Sequence, residues 1–339
     1  TDTNEDEVSR RIYDMFTKIR QNTKDFRYEY EFCCGVVSNI KDQETYTFEQ
    51  MLTNVMFALA QSKEVSSENI CFFDEEVHKK KEFENFIESN MQQALDSQRF
   101  EMVLQPKMDL QTNSVIAAEA LVRWRLEDGT YLPPSSFVDI FEKNRFCSKL
   151  DFYMLKKAIL QIREWIDMGM EPVNISVNQS KIVFYHENYI SELKSLLEEY
   201  NVSGSYITLE VLESTVIEDI DMFNSILTEV KKLGFSVSLD DFGSGYSSLN
   251  VLSKLQIDEL KIDRIFLHTK SEVDNQRTKW ILESIIEIAK KSQILVVVEG
   301  VESKQDDLFI KSLGADVGQG YFYGRPLSIS AFNDLIETK

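Results

Sequence analysis

Five apolar runs in the C-terminal two-thirds of the chain each carry a carboxylate, an amide or a lysine as their chemical end group. They are PVNISV with Asn174, YITLE with Glu210, FSVSLDD with Asp240 and Asp241, ELKID with Lys261, and ILVVVE with Glu299. Side chains at the C-terminal ends of parallel strands converge on one mouth, and a parallel barrel gathers them from distant positions in the sequence. Several carboxylates meeting there repel one another unless cations share their charge. The pattern therefore points to an oxygen-ligated metal centre. Histidine is scarce and scattered (His78, His186, His268), no cysteine spacing resembles a zinc site, and oxygen donors select hard cations over zinc.

The elements that must position these groups are legible in the same stretch. From Arg99, FEMVLQPKMDL and SVIAAEALVRW flank a turn at Gln111–Asn113 and read as a hairpin-like pair. Helical stretches follow from Pro134 to Glu142 and from Leu150 to Met168, and then strand and helix alternate. GADVGQGYFYGRPL supplies a last short strand carrying Gln319, before a final helical segment. About 240 residues of this texture match the size of a βα barrel. The structural alternative, an open doubly wound sheet, lacks the G-x-G-x-x-G turn expected after its first strand.

Before this region the order is helix (8–21), strand-like FRYEYEFCCGVVSNI, a helix opening near Thr47, and a short strand ICFFDEE. HKKKEFENFIESNMQQALDSQ is a charged amphipathic helix suited to connecting two units. The expected division is 1–76, a connecting helix over 77–98, and the barrel over 99–339.

Composition narrows the function classes. Of 339 residues, 43% are hydrophobic, enough for a sizeable core, and 57 acidic against 37 basic residues give a formal net charge of −20. Such a chain is a poor non-specific binder of nucleic acid polymers or anionic membranes, whereas a small anionic substrate is compatible with metals and a few arginines at one site. The four cysteines suggest no disulfide framework, and a reducing cytoplasm fits. No apolar run is long enough to span a bilayer, although a sensor-bearing or membrane-anchored parent protein is compatible with an abrupt start lacking methionine.

Singly, each motif is weak. Asp241-Phe242-Gly243 suggests a kinase DFG, but the Gly-rich loop and the HRD-type loop are missing. The ordered set Glu119, Asn174, Glu210, Asp240, Asp241, Lys261, Glu299, Gln319 is specific. With LQPKMDL, AAEALVRW, VNISVNQS, LEVLES, LDDFGSGYSSL, LKIDRIF, VVVEGVE and GADVGQGYFYGRPL, residues 99–335 resemble an EAL-type cyclic-di-GMP phosphodiesterase domain.

The resemblance implies an α/β fold: a modified TIM (β/α)8 barrel with one antiparallel strand. It implies hydrolysis of cyclic di-GMP to linear pGpG with two Mg²⁺ or Mn²⁺ ions. By resemblance Glu119, Asn174, Glu210 and Asp240 bind one ion, Asp240 and Asp241 bind or bridge to the second, and Glu299 reaches this site. Lys261 contacts the attacking water as base or orienter. Gln319 lines the mouth, Arg123 pairs with a substrate phosphate, and Gln105 and Leu121 contact the dinucleotide. Glu213 resembles the glutamate that steadies the DFGSGYSS loop. A homodimer through this domain is expected, with the segment after DFGSGYSSL in its interface.

Two departures stand out. Leu212 replaces the usual threonine in E-x-T-E, and Arg145 stands where glycine is expected. The first 76 residues resemble the C-terminal part of a GGDEF-like domain, a small α+β unit without the G-G-[DE]-E-F hairpin. Two other readings stay open: a cyclic-di-GMP receptor that binds without turnover, and an interaction scaffold. A receptor typically has lost metal ligands, which this chain keeps.

Overall fold

The computed structural model describes residues 5–22, 31–37, 46–64, 70–213, 220–243, 252, 254–267 and 272–337. The chain divides into two compact units, 1–89 and 90–339.

In the first unit, α1 (Glu5–Asn22), β1 (Cys34–Val36), α2 (Phe48–Glu64) and β2 (Ile70–Phe72) follow in the order that the pattern predicts. Thr47 opens α2 with a capping box: its hydroxyl accepts from the Gln50 amide, and the Gln50 side chain accepts from the Thr47 amide. β1 and β2 pair in parallel, with α2 as the crossover. Gly35 lets the helix lie close, since a Cβ there would sit 2.4 Å from the backbone of Leu59 and Val55. α3 (Glu75–Asp96), the predicted charged helix, runs through the division between the units.

The second unit is built on nine strands among the described residues: β3 (Phe100–Asp109), β4 (Val115–Arg125), β5 (Tyr131–Leu132), β6 (Asn174–Gln179), β7 (Ile207–Leu212), β8 (Ser236–Phe242), β9 (Glu259–Ile262), β10 (Leu295–Val298) and β11 (Val317–Gln319). The sheet order is β3-β11-β10-β9-β8-β7-β6-β4, and β3 also pairs with β4, which closes an eight-stranded barrel. β5 extends β4 outside the ring. β3 runs antiparallel to both neighbours, whereas the pairs from β4 round to β11 are parallel. This is the barrel with one reversed strand that the resemblance implies.

Among the described residues the further α-helices are α4 (Val138–Asn144), α5 (Cys147–Asp167), α6 (Tyr189–Tyr200), α7 (Ile220–Lys232), α8 (Glu272–Lys291), α9 (Lys304–Ser312) and α10 (Ile329–Glu337). Strand alternation divides the work. In β7, Ile207, Leu209 and Val211 are buried on one face, while Thr208 and Glu210 occupy the other. The inward face is polar on several strands, unlike the branched aliphatic filling usual in such barrels. α4 ends at Arg145, which takes the left-handed conformation (φ 64°) that glycine adopts without strain. The turn forms despite the substitution.

Candidate active site

Strand register brings the groups of the mouth to one end of the ring. Gln105 lies opposite Glu119, Asn178 opposite Glu210, and Leu212 opposite Asp240. Lys261, Glu299 and Gln319 come from the ends of the next three strands. These side chains share inward parity, so the barrel, not local sequence, assembles them.

One expected ligand is misplaced. Asn174 is the first residue of β6, at the opposite end of the strand from the mouth. Its amide donates to the Ser205 carbonyl, and its carbonyl accepts from the Thr208 hydroxyl. Four residues on, about 13 Å along a strand, Asn178 reaches the mouth and donates to Glu119 Oε1 at 2.9 Å. The segment VNISVNQS contains N-x-S twice, with equal parity. Only the distance to the strand's C-terminal end distinguishes them, and that favours the second.

Asp240 and Asp241 are consecutive and would face opposite sides of a regular strand. The ladder to β9 shifts register between Leu239 and Phe242, and Asp241 has φ 56°. This local irregularity turns both carboxylates toward the mouth. Asp240, Asp241 and Glu299 each place one carboxylate oxygen within 4.8 Å of the other two.

Lys261 is the hub. Its ammonium lies 2.7 Å from Glu299 Oε1, 2.8 Å from Glu210 Oε2, 2.9 Å from Asp240 Oδ1 and 3.5 Å from Glu119 Oε2. An ammonium has three donors, so four carboxylates oversubscribe it. Burial opposes its charge, but the surrounding carboxylates raise its pKa well above the usual lysine range. The carboxylates divide. Burial, reinforced by Glu210 and Asp240, raises Glu119, while Lys261 opposes the shift. Burial likewise raises Asp240 and Asp241, and pushes Glu299 up to about 8. Glu210 behaves differently: burial opposes its charge, yet Lys107 and Lys261 together hold it down at about 2.

Lys107 is a functional candidate that sequence reasoning missed. It is fully buried and donates to Ser176 Oγ (2.7 Å), Glu210 Oε1 (2.8 Å) and Glu259 Oε1 (2.8 Å). The available signal was a lysine and a glutamate at inward positions of otherwise apolar strands.

Gln319 Nε2 donates to Glu119 Oε2 at 2.6 Å, and Gln105 Nε2 to the Gly324 carbonyl at 3.2 Å. Leu121 is half-buried two residues beyond Glu119 on β4. Arg123, another two residues on, donates to the Val122 carbonyl at 2.8 Å, and the field of Glu119 and Tyr321 reaches it. Glu213 accepts from the Gly243 amide at 3.5 Å, and residues 244–251 of the loop it was expected to steady lie outside the described residues. Residues 250, 251 and 253, at the start of the segment expected in a dimer interface, also lie outside them.

A cleft of about 340 Å³ opens over these groups, with Gln105, Glu119, Asp241, Arg264, Glu302 and Tyr321 in its wall. Gly300 (φ 67°) lets the chain after Glu299 pass Arg264, whose Cβ would lie 2.2 Å from an added Cβ. The donor set fits hard divalent cations. It is all oxygen, it carries excess negative charge, and Gln319 Oε1 is buried with no hydrogen-bond partner among the described residues.

A sequence model of the EAL domain matches residues 88–326. The chain is similar to NbdA of Pseudomonas aeruginosa, a cyclic di-GMP phosphodiesterase, with 33% identity over 85% of this chain and 36% of that protein. It is also similar to PdeR of Escherichia coli, a cyclic di-GMP phosphodiesterase, with 29% identity over 81% of this chain and 41% of PdeR. The chain thus spans well under half the length of these two relatives. Among solved structures, the PaMucR phosphodiesterase in complex with c-di-GMP superposes with a TM-score of 0.67. That match has 32% identity and covers 73% of this chain and 99% of the other. With the barrel, its reversed strand and the carboxylate mouth in place, this match over more than half of the sequence shows that the chain belongs to the EAL domain family.

Proposed function

We propose that this chain hydrolyses cyclic di-GMP to linear pGpG with two Mg²⁺ or Mn²⁺ ions. The observation that carries the reading is the mouth itself: Asp240, Asp241 and Glu299 converge, with Glu119 and Glu210 alongside, around one lysine. The relatives' activity and the ligand in the similar solved structure support the choice of substrate.

Glu119, Asn178, Glu210 and Asp240 would hold one ion, and Asp240, Asp241 and Glu299 the other. When bound, the ions supply charge neutralisation at the phosphodiester and lower the pKa of water. In the reaction, water gives up a proton as its oxygen adds to phosphorus, the P–O3′ bond breaks, and the departing oxygen takes up a proton, so that one water is consumed for each bond cleaved. In the metal-free chain the carboxylates around Lys261 favour its charged form. As an ammonium it would donate a hydrogen bond that orients the attacking water or a phosphate oxygen. The Arg123 guanidinium has the fork of donors to pair with a phosphate of the dinucleotide. Gln105 and Leu121 border the place where a base would lie, and Gln319 holds Glu119 in orientation.

The chain's surroundings follow the same reading. Among the described residues no disulfide joins Cys33, Cys34, Cys71 or Cys147, which suits the cytoplasm. Among the described residues no helix is long and apolar enough to cross a membrane. The first unit reads as the C-terminal part of a GGDEF-like domain, supported by its α-β-α-β order. Without the glycine-rich hairpin it makes no cyclic di-GMP. A homodimer is part of the proposal, supported by Trp280, Ile281 and Ile288 exposed on α8.

The test is purified chain with cyclic di-GMP, followed by chromatography. Mg²⁺ or Mn²⁺ should yield pGpG, while Ca²⁺, larger and looser in geometry, should not. Binding without product under all metals would establish the receptor reading instead.

A further inference from the structure

The layer beneath the mouth holds a second lysine that the proposed reaction does not use. Lys107 sits on the reversed strand β3, 1% exposed, with Ser176 on β6, Glu210 on β7 and Glu259 on β9. Its three donors meet three acceptors at 2.7–2.8 Å, so it is saturated and fixed. Stability is a weak reason for such a group, since a buried ion pair is often no better than apolar packing, and these barrel interiors are ordinarily filled with branched aliphatic residues.

Its geometry has a specific consequence for Glu210. That carboxylate is split between two lysines: Oε1 points down to Lys107, and Oε2 points up to Lys261. Only Oε2 faces the mouth. Glu259 supplies the compensating charge, so that the pair adds no net positive charge beneath a cation site. We infer that Lys107 is a positioning residue: it anchors Glu210 through Oε1 and restricts it to single-oxygen ligation of a divalent cation in the mouth. This rests on the metal reading given above. Lys107 touches neither substrate nor metal, and it acts through Glu210.

The test uses the full chain. Lys107→Met alone strands Glu259 and can compromise folding, so the informative variant is Lys107→Met/Glu259→Met, which removes opposite charges together. A crystal structure of this variant without metal should show the Glu210 carboxylate rotated away from its bond to Lys261. Unchanged orientation would overturn the inference. Mn²⁺ binding, read by the spin-resonance signal of the free ion, should weaken about 10–100-fold, as for the loss of an outer-shell partner. Unchanged affinity in the folded variant would also overturn it. In a Glu210→Ala background the same double substitution should cost no further affinity. An equal further loss would mean a general structural role and would contradict positioning through Glu210. A wild-type chain that takes up no Mn²⁺ would contradict the metal reading alone, and the crystal comparison would still decide where Glu210 points.

Discussion

Two lysines stand one layer apart inside the same barrel, and their surroundings differ in kind. Lys107 meets three acceptors with three donors and is sealed. Lys261 meets four carboxylates with the same three donors and borders an open cleft. A satisfied buried cation fixes its partners. An oversubscribed one leaves acids around it that it cannot neutralise; burial raises their pKa values, and a bound cation can displace their protons. The contrast assigns chemistry to the upper layer and orientation to the lower.

The largest effect should come from removing an upper-layer acid. Glu119 accepts from Asn178, Gln319 and Lys261 together. Glu119→Ala should weaken metal binding and lower pGpG formation by at least about 10²-fold. A Mn²⁺ titration of turnover checks this, and a near-normal rate at ordinary metal concentration would remove Glu119 from the site.

Asparagine offers a sharper comparison within one strand. Asn178→Ala should reduce metal affinity by about tenfold, because a neutral ligand and a partner of Glu119 are lost. Asn174→Ala, at the far end, should leave the affinity within a few-fold of wild type. Calorimetric metal titration of both variants would show it, and the reverse order would restore Asn174 as the ligand.

Proton competition gives a third test. Burial holds Glu299 up at about 8, so its carboxyl is protonated at neutral pH in the metal-free chain. Metal binding must displace that proton. Apparent Mn²⁺ affinity should therefore rise with pH up to about 8 and flatten above it. In Glu299→Gln the slope over this range should become shallower, as binding titrations across pH would reveal.

The smallest effect lies outside both layers. Arg145 is exposed and held at φ 64°. Arg145→Gly should stabilise the barrel by about 1 kcal/mol by relieving a left-handed conformation, less the extra freedom glycine has when unfolded. Urea unfolding would read the change, and a loss of stability would mean that the side chain contributes contacts.

Much of the upper layer was legible because strand ends announce themselves: an apolar run stops at a carboxylate, and the alternation fixes which residues face inward. The reversed β3 and closure of the barrel followed from the hairpin and the resemblance. Three features were not legible, each for a physical reason. Asn178 and Asn174 share parity and an N-x-S context, so only the strand's true end separates them. Lys107 and Glu259 lie 152 positions apart, and their pairing exists only once the barrel closes. The turning of Asp241 depends on a register shift against β9, which no local pattern in LDDFG encodes.

The most direct measurement of the division between layers is single-turnover hydrolysis by Lys261→Ala, with metal titrated on the same protein. In the metal-free chain the Lys261 ammonium competes for the oxygens that would hold the ions. Its removal should leave metal affinity equal or higher, while the rate falls by about 10²–10⁴-fold and stays low at saturating Mg²⁺. A variant whose rate returns to wild type simply on adding more Mg²⁺ would contradict the account, because Lys261 would then only balance the charge of the carboxylates around it.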